Sequence, residues 1–296
     1  METLLPSQGF LGLSDQEAAD TAGKPGVTIV PFGLEASVSY GGGTAQGPLA
    51  IIAASHQVEL FDEELWRESF REYDLSTLAP FPLESGIKPA LDQLESVVEG
   101  VLDAGRFPLI LGGEHSLTAG AIRPFLKRHD DLVILQFDAH ADLRDGYEGE
   151  PFSHAAVMRR CLDAPGVRLV SVGVRNISAE EVPFLEANHQ RIDIYWAKDR
   201  ADWDIGKIVA PLAGRPVYLT FDLDGFDSSL MPATGTPEPG GLFWDDAIAV
   251  IRAASHVASE IVGADIVELA PIPGLHACDL LAAKLAYKIL AYRFNA

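Results

Sequence analysis

Short runs of apolar residues without alternating polar positions recur along the chain and predict buried β-strands. They are separated by longer segments in which apolar residues recur at helical spacing. The runs are VTIVPF (27–32), PLILGG (108–113), LVILQFD (132–138), VRLVSVGV (167–174), PVYLTFDLD (216–224) and IVGADIVEL (261–269). Runs of this kind are typical of a parallel sheet that is covered on both faces.

The intervening segments predict amphipathic helices. In the segment 88–105, Leu91, Leu94 and Val98 fall on one stripe, and Gly105 is placed to end the helix. Similar patterns occupy 118–129, 244–260 and 278–292. Strand and helix alternate to the end of the chain, which predicts an α/β fold of the doubly wound type.

The pattern also predicts the domain organisation. Residues 1–26 show no clear periodicity and are predicted to form an irregular N-terminal arm, whereas 27–296 contain no linker or internal repeat and are predicted to form a single domain. The loop GGGTAQGP (41–48) has neither the GxGxxG nor the GK[ST] pattern of a phosphate-binding loop. We therefore interpret it as a turn before a helix.

Composition and charge narrow the classes of function. The chain has 296 residues, 48% of them hydrophobic, with a formal net charge of −21 at pH 7. Such a charge disfavours nucleic acids and anionic membranes as partners and suits a cationic substrate. The two cysteines, Cys161 and Cys278, do not form a disulfide framework, which favours a reducing, cytoplasmic location. No window approaches the roughly 18 apolar residues of a membrane span.

Acidic and histidine side chains collect where four predicted strands end. They are Glu114 and His115; Asp138, His140 and Asp142; Asp222, Asp224 and Asp227; and Asp265 and Glu268. A single aspartate at a strand end usually caps a helix or forms a turn. In an open parallel sheet, however, the carboxyl ends of the strands meet at one edge and bind ligands there. We therefore expect these side chains to converge.

A convergent group of carboxylates needs compensating positive charge, because several cannot stay ionised together in a partly buried site. Four of these six aspartates together with the two histidines, and no thiolate, would form a ligand set that suits Mn²⁺ better than structural Zn²⁺. Six ligands are too many for one ion, so we predict two ions, about 3.5–4 Å apart, that share carboxylates. In DAHAD (138–142), alternate residues of one extended segment place three ligands on the same side.

Three segments resemble the signature motifs of the ureohydrolase (arginase/agmatinase) family. They are GGEHS (112–116), DAHAD (138–142) and FDLDGFDSSLMPATGTPEPGG (221–241), and the resemblance extends from about residue 27 to the C-terminus. It implies a three-layer α/β/α sandwich around a mostly parallel sheet. It also implies a binuclear manganese centre, hydrolysis of a guanidino group to urea and an amine, and a homo-oligomer, either a trimer or a hexamer.

The resemblance assigns roles to individual residues. His115, Asp138, Asp142 and Asp222 would hold one ion, and His140 and Asp224 would hold the other, with Asp138 and Asp222 bridging. His154 matches the family's substrate-facing histidine, and Glu268 matches its guanidinium-binding glutamate. From the chemistry of the reaction, we expect Asp142 to accept a proton from the attacking water and His154 to relay protons to solvent. Two residues depart from the family pattern: Ala155 follows His154 where Gly is usual, and Glu114 replaces a frequent Asp, which we expect to affect only the surroundings of the ligands.

Other classes fit the sequence less well. A metallophosphoesterase would need GDxxD and GNH[DE] motifs, which the sequence lacks. A deacetylase of similar architecture would use one zinc ion and leave several of the ligands without a role. A non-catalytic scaffold would not need the complete ligand set.

The segment 143–154 leads to a prediction about the substrate. It contains Asp145, Glu148 and Glu150 against one cation, Arg144, and it lacks the Asn with which arginases read the α-carboxylate of arginine. An acidic rim would favour the ammonium end of agmatine, which would be converted to putrescine and urea. An inward-facing Arg144 would instead favour the carboxylate of 4-guanidinobutyrate. Arginine and guanidinopropionate remain alternatives.

Overall fold

A single parallel β-sheet forms the centre of the computed structural model, which describes residues 1–295. In chain order the strands are β1 (Gly26–Phe32), β2 (Phe61–Asp62), β3 (Arg67–Glu68), β4 (Asp74–Thr77), β5 (Arg106–Gly112), β6 (Val133–Phe137), β7 (Arg168–Val172), β8 (Ile192–Tyr195), β9 (Pro216–Asp222) and β10 (Glu260–Val267). Within the described range, eight of them form the central sheet in the order β4-β1-β5-β10-β9-β6-β7-β8, and β2 and β3 form a separate antiparallel hairpin.

Helices cover both faces of this sheet. The α-helices are α1 (Asp15–Asp20), α2 (Gly47–Ser55), α3 (Ile87–Asp103), α4 (Thr118–Ala121), α5 (Arg123–Leu126), α6 (Val157–Cys161), α7 (Val182–Ala187), α8 (Ile205–Val209), α9 (Trp244–Val257) and α10 (His276–Asn295). Short 3₁₀ helices follow several strands, including His115–Leu117 after β5 and Leu223–Gly225 after β9.

Alternate residues of the strands contribute to two separate hydrophobic cores. On β6, Val133 and Leu135 pack in the core that also contains buried residues of α2, α8, α9 and α10. Ile134 points to the opposite face and packs with residues of α3, α4, α5 and α6. The fold is therefore a three-layer α/β/α sandwich around a parallel sheet, as predicted.

The central strands agree with the sequence prediction within a few residues, but the edges do not. The edge strands β4 and β8 and the hairpin of β2 and β3 were not predicted, because they are short and lack a continuous apolar run. The predicted helix 118–129 is divided into α4 and α5. Pro124 lies near the start of α5 and has no amide hydrogen to continue the helical hydrogen bonds.

The N-terminal segment is more ordered than the predicted irregular arm. Ser14 caps α1 through a reciprocal pair of hydrogen bonds with Glu17. Phe10, Leu11 and Leu13 are buried in the core that contains α2 and α10. The glycine-rich loop is a turn before α2, as predicted: its amides at Gly43 and Ala45 donate to the Glu35 carboxylate.

No helix within residues 1–295 is both long enough and apolar enough to cross a membrane.

Candidate metal centre and active site

The predicted site residues lie at the carboxyl ends of four neighbouring strands. β5, β10, β9 and β6 are adjacent in the sheet, so the segments that follow them meet at one edge. His115 follows β5, the DAHAD segment follows β6, Asp222 ends β9, and Glu268 follows β10. The topology thereby brings together residues that are up to 153 positions apart, such as His115 and Glu268, whose backbone amide and carboxylate are hydrogen bonded.

His115 lies at the centre of a first cluster of carboxylates. Its Nδ1 atom is 3.1 Å from Asp138 Oδ2, 3.2 Å from Asp142 Oδ2 and 3.3 Å from Asp222 Oδ2. All four side chains are buried. Despite these short distances, Nδ1 has no hydrogen-bond partner among the described residues.

The other side of the His115 ring determines which nitrogen carries a proton. Thr220 donates its hydroxyl hydrogen to Asp265, and the same hydroxyl oxygen lies 2.9 Å from His115 Nε2. Because the hydroxyl hydrogen is already used, Nε2 must be the donor in this contact. In the neutral imidazole, Nδ1 then presents a lone pair to three carboxylates, an arrangement that a bound cation would stabilise.

A second cluster lies beside the first and shares one carboxylate with it. His140 Nδ1 is 3.0 Å from Asp224 Oδ2 and 3.6 Å from Asp138 Oδ1. Candidate ligand atoms of His115, Asp138 and Asp142 lie within 4.8 Å of one another, and so do those of Asp138, His140 and Asp224. Asp138 thus belongs to both clusters, as a bridging ligand would. The bridging role of Asp222 stays a prediction.

The shared carboxylate is held by a chain of buried polar groups. Gln136 donates to Asp138 Oδ2 at 2.7 Å and accepts a hydrogen bond from Ser171 at 2.6 Å. The amide of His140 donates to Asp138 Oδ1. Gly225 permits a close approach here, since a Cβ atom at this position would lie 2.9 Å from the backbone nitrogen of Asp138.

Electrostatics at the two clusters also indicates a cation site. Burial, reinforced by the neighbouring Asp138, raises the pKa of Asp142 to about 7. Burial and the charges of Asp224 and Asp138 raise the pKa of Asp222 well above its usual range. Burial opposes ionisation of His140, but Asp224 and Asp138 raise its pKa to about 12. Carboxylates packed this closely require positive charge, and the donor set of oxygens and imidazoles fits divalent cations.

Two site residues adopt backbone conformations that are rare for residues other than glycine. Asp142 has φ of 52° and Glu268 has φ of 67°, both in the left-handed region. Such conformations cost of order 1–3 kcal/mol and occur where the surrounding structure enforces them, often at functional sites. Burial raises the pKa of Glu268 to about 8.

A cavity of about 340 Å³ opens above the clusters. Its walls include His140, Asp142, His154, Asp224 and Glu268. His154 is therefore brought to the site, as predicted, although it does not belong to either cluster. Its ring nitrogens lie 3.1 Å from the Ser37 hydroxyl and 2.8 Å from the Ser39 hydroxyl.

The acidic rim predicted from the segment 143–154 is wrong. Asp145 is 77% exposed and pairs with Arg160, Glu148 is exposed, and Glu150 accepts a hydrogen bond from the amide of Phe152 in its own loop. None of these three acids lines the cavity.

Other charged residues lie at the cavity wall instead. Arg144 reaches the wall, where its guanidinium group pairs with Glu180 and lies over the ring of Tyr147. Glu181 and Glu238 also line the cavity. Beyond the ligand clusters and Glu268, the wall thus carries two acids and one arginine that is already paired.

Two other candidates from the strand ends have structural roles. Asp227 accepts hydrogen bonds from the hydroxyl and the amide of Ser229 and from the amides of Gly240 and Gly241. These bonds lower its pKa to about 2 and shape the loop before α9. Asp265 accepts from Thr118, Tyr218 and Thr220, so it supports His115 and does not face the clusters.

The residues that support the candidate ligands do not belong to the motifs. Gln136 and Thr220 are polar residues inside the apolar runs LVILQFD and PVYLTFDLD, and this polarity is the signal in the sequence that marks them. Ser37 and Ser39 carried no signal, because they belong to a loop more than 110 residues before His154.

The fold and the site define a class of α/β proteins with a cluster of carboxylates and histidines at the carboxyl edge of a parallel sheet. A family model described as the arginase family matches residues 25–291. The chain is 35% identical, over 94% of its length and 92% of the relative, to the N(1)-aminopropylagmatine ureohydrolase of Synechocystis sp.. It is 37% identical to the agmatinase of Bacillus anthracis, over 83% of the chain and 84% of that relative.

Solved structures agree with these matches. The agmatine ureohydrolase of Thermoplasma volcanium superposes with a TM-score of 0.83 at 31% identity and covers 95% of each chain. The chain therefore belongs to the arginase family. This confirms the family predicted from the motifs and the prediction that the chain is an enzyme of the ureohydrolase class.

Proposed function

We propose that this chain hydrolyses the guanidino group of a small cationic substrate, converting agmatine to putrescine and urea with two Mn²⁺ ions. The observation that carries the proposal is the pair of ligand clusters that share Asp138 beneath a cavity. The agmatinase and agmatine ureohydrolase among the relatives support the choice of substrate.

Each ion would lie in one of the two ligand clusters. His115, Asp138, Asp142 and Asp222 would hold one, and Asp138, His140 and Asp224 would hold the second, with Asp222 as an additional bridge. When bound, such ions supply a nucleophile at neutral pH by lowering the pKa of water. The oxygen-rich set without thiolate favours Mn²⁺.

The protein side chains supply orientation and proton transfer. Glu268 lies at the cavity wall, where its carboxylate can form charge-assisted hydrogen bonds with a guanidinium ion. Asp142, which also lines the cavity, would accept the proton of the attacking water. His154, between the cavity and the exposed hydroxyl of Ser39, would exchange protons between the leaving amine and solvent.

A second candidate substrate is N(1)-aminopropylagmatine, which would give urea and the corresponding triamine. The relative with that name aligns with more of this chain than the Bacillus anthracis agmatinase does, 94% against 83%. Both candidates carry cationic groups beyond the guanidinium. Glu181 and Glu238 at the cavity wall are consistent with either of them.

A urea-release assay across a panel of guanidino compounds tests the proposal. The panel contains agmatine, N(1)-aminopropylagmatine, 4-guanidinobutyrate, guanidinopropionate and arginine, each measured as kcat/KM at the same manganese loading. Agmatine or its aminopropyl derivative is expected to lead. A tenfold preference for 4-guanidinobutyrate, about 1.4 kcal/mol in transition-state binding, would mean that Arg144 or another cation governs the far end of the substrate and that the agmatine assignment is wrong.

The proposal includes a homo-oligomer, trimer or hexamer, and a cytoplasmic location. The location is supported by Cys161 and Cys278, which are both buried and unpaired. Light scattering after size exclusion tests the assembly.

A further inference from the structure

A buried carboxylate beside the metal ligands has no role in the function proposed above. Glu114 is completely buried and belongs to neither ligand cluster. It accepts hydrogen bonds from the amides of Ala36 and Ser37 on one oxygen, and from the hydroxyls of Ser37 and Ser116 on the other. These four donors match the number of hydrogen bonds that the two oxygens of a carboxylate can accept.

Ser37 connects this carboxylate to His154. Its hydroxyl hydrogen is donated to Glu114 Oε1 at 2.8 Å. The Ser37 oxygen is then left with lone pairs only, and it accepts from the backbone amide of His154 at 3.0 Å. The same oxygen lies 3.1 Å from His154 Nδ1.

The direction of these bonds leaves one consistent tautomer for the ring. Because Ser37 has no hydrogen left to donate, Nδ1 must carry the hydrogen in its contact with Ser37. We propose that Glu114 and Ser37 are positioning residues that hold neutral His154 as the Nδ1–H tautomer, with the lone pair of Nε2 directed to Ser39.

This arrangement would prepare His154 for the proton exchange in the proposed function, on which the inference rests. Nε2 is 2.8 Å from the hydroxyl of Ser39, an exposed residue at the cavity wall. A proton from solvent can therefore add at Nε2 and be released there to the leaving amine. Burial lowers the pKa of His154, and the negative charge of Glu114 acts in the opposite direction by stabilising the protonated ring.

The tautomer can be observed directly. Histidine labelled with ¹⁵N is measured by solid-state NMR at pH 8, with diamagnetic Zn²⁺ in place of Mn²⁺, and His154 is assigned from the signals that disappear in His154→Asn. The wild-type ring is expected to show protonated Nδ1 and unprotonated Nε2. In Ser37→Ala, where Nδ1 loses its acceptor, the Nε2–H form should appear.

Kinetics separates positioning from a general structural effect. Ser37→Ala should lower kcat about 10- to 100-fold, the range found for residues that orient metal-ligating histidines, with KM and bound manganese close to wild type. Ser37→Thr keeps a hydroxyl and should restore most of kcat. Ser153→Ala is the matched control: its hydroxyl is buried next to His154 in sequence and has no hydrogen-bond partner in the described chain.

Each outcome decides the inference. A wild-type ring in the Nε2–H form, the same tautomer in Ser37→Ala, or an equal loss of kcat in Ser153→Ala would overturn it. If the wild-type protein released urea from none of the panel compounds, the proposed function would fail, while the NMR measurement would still decide how the ring of His154 is held.

Discussion

The shared position of Asp138 predicts different metal stoichiometries for two single substitutions. Asp138 belongs to both ligand clusters, whereas Asp224 belongs only to the one that contains His140. Asp138→Ala should therefore abolish binding of both manganese ions. Asp224→Ala should weaken mainly one ion and leave the His115 cluster able to bind the other.

The predicted loss of manganese binding can be expressed as a change in the Tm increment that Mn²⁺ produces. A ligand at 100 times its Kd stabilises the folded state by about 2.7 kcal/mol. For a chain of 296 residues, 1 kcal/mol corresponds to about 2 °C in Tm, so each ion should contribute about 5 °C. Addition of saturating Mn²⁺ should raise the Tm of wild type by about 10 °C, that of Asp224→Ala by about 5 °C, and that of Asp138→Ala hardly at all.

The assay is differential scanning fluorimetry with and without Mn²⁺, together with elemental analysis of the loaded proteins. Only the increment caused by Mn²⁺ is compared, so effects of each substitution on the metal-free protein cancel. Asp145→Ala, which removes an exposed acid outside the cavity, serves as the control. A wild-type increment and two bound ions in Asp138→Ala would refute the bridging role.

Four further predictions concern the cavity and the stability of the fold. His154→Asn should reduce kcat by roughly 10²–10⁴-fold, as for loss of a proton-transfer group, with manganese content unchanged in elemental analysis; wild-type turnover would contradict its role. Glu268→Gln should lower kcat/KM for urea release, because a neutral amide pairs less strongly with guanidinium; an unchanged value would remove this residue from the site. Arg144→Ala should change the ratio of kcat/KM between agmatine and 4-guanidinobutyrate, with metal content unchanged. An unchanged ratio would show that Arg144 does not contact the far end of the substrate. Burial opposes ionisation of Glu64, but hydrogen bonds from Tyr292 and neighbouring cations lower its pKa from 4.5 to about 2. A lowered pKa stabilises the folded state above pH 4.5, and this contribution is lost as the pH falls toward 2. The difference in unfolding free energy between wild type and Glu64→Gln, measured by urea titration, should therefore shrink over that pH range.

The central sheet and the convergence of the candidate metal ligands were predictable from sequence for the same physical reason. Buried parallel strands must be apolar on both faces, so β1, β5, β6, β9 and β10 appear as continuous apolar runs. Polar residues just after such runs must emerge at the carboxyl edge of the sheet. Asp138, His140 and Asp142 could therefore be assigned to one site before their distances were known.

Charges in loops could not be placed in this way. Asp145, Glu148 and Glu150 are near His154 in sequence, yet they do not line the cavity, whereas Glu181 and Glu238 from other segments do. The direction of a loop side chain depends on the contacts that hold the loop, here the pairing of Asp145 with Arg160. Neither periodicity nor local composition contains that information.

The sequence by itself determined the layers of the fold and the family, and it predicted the candidate ligand set, because these depend on local periodicity and on motifs that are continuous in the chain. Only the tertiary structure decided which groups orient the ligands. The contacts of Thr220 with His115 and of Ser37 with His154 join residues 105 and 117 positions apart. Hydrogen bonding of this kind requires distances near 3 Å and suitable angles, and those are established only when the strands and loops have packed.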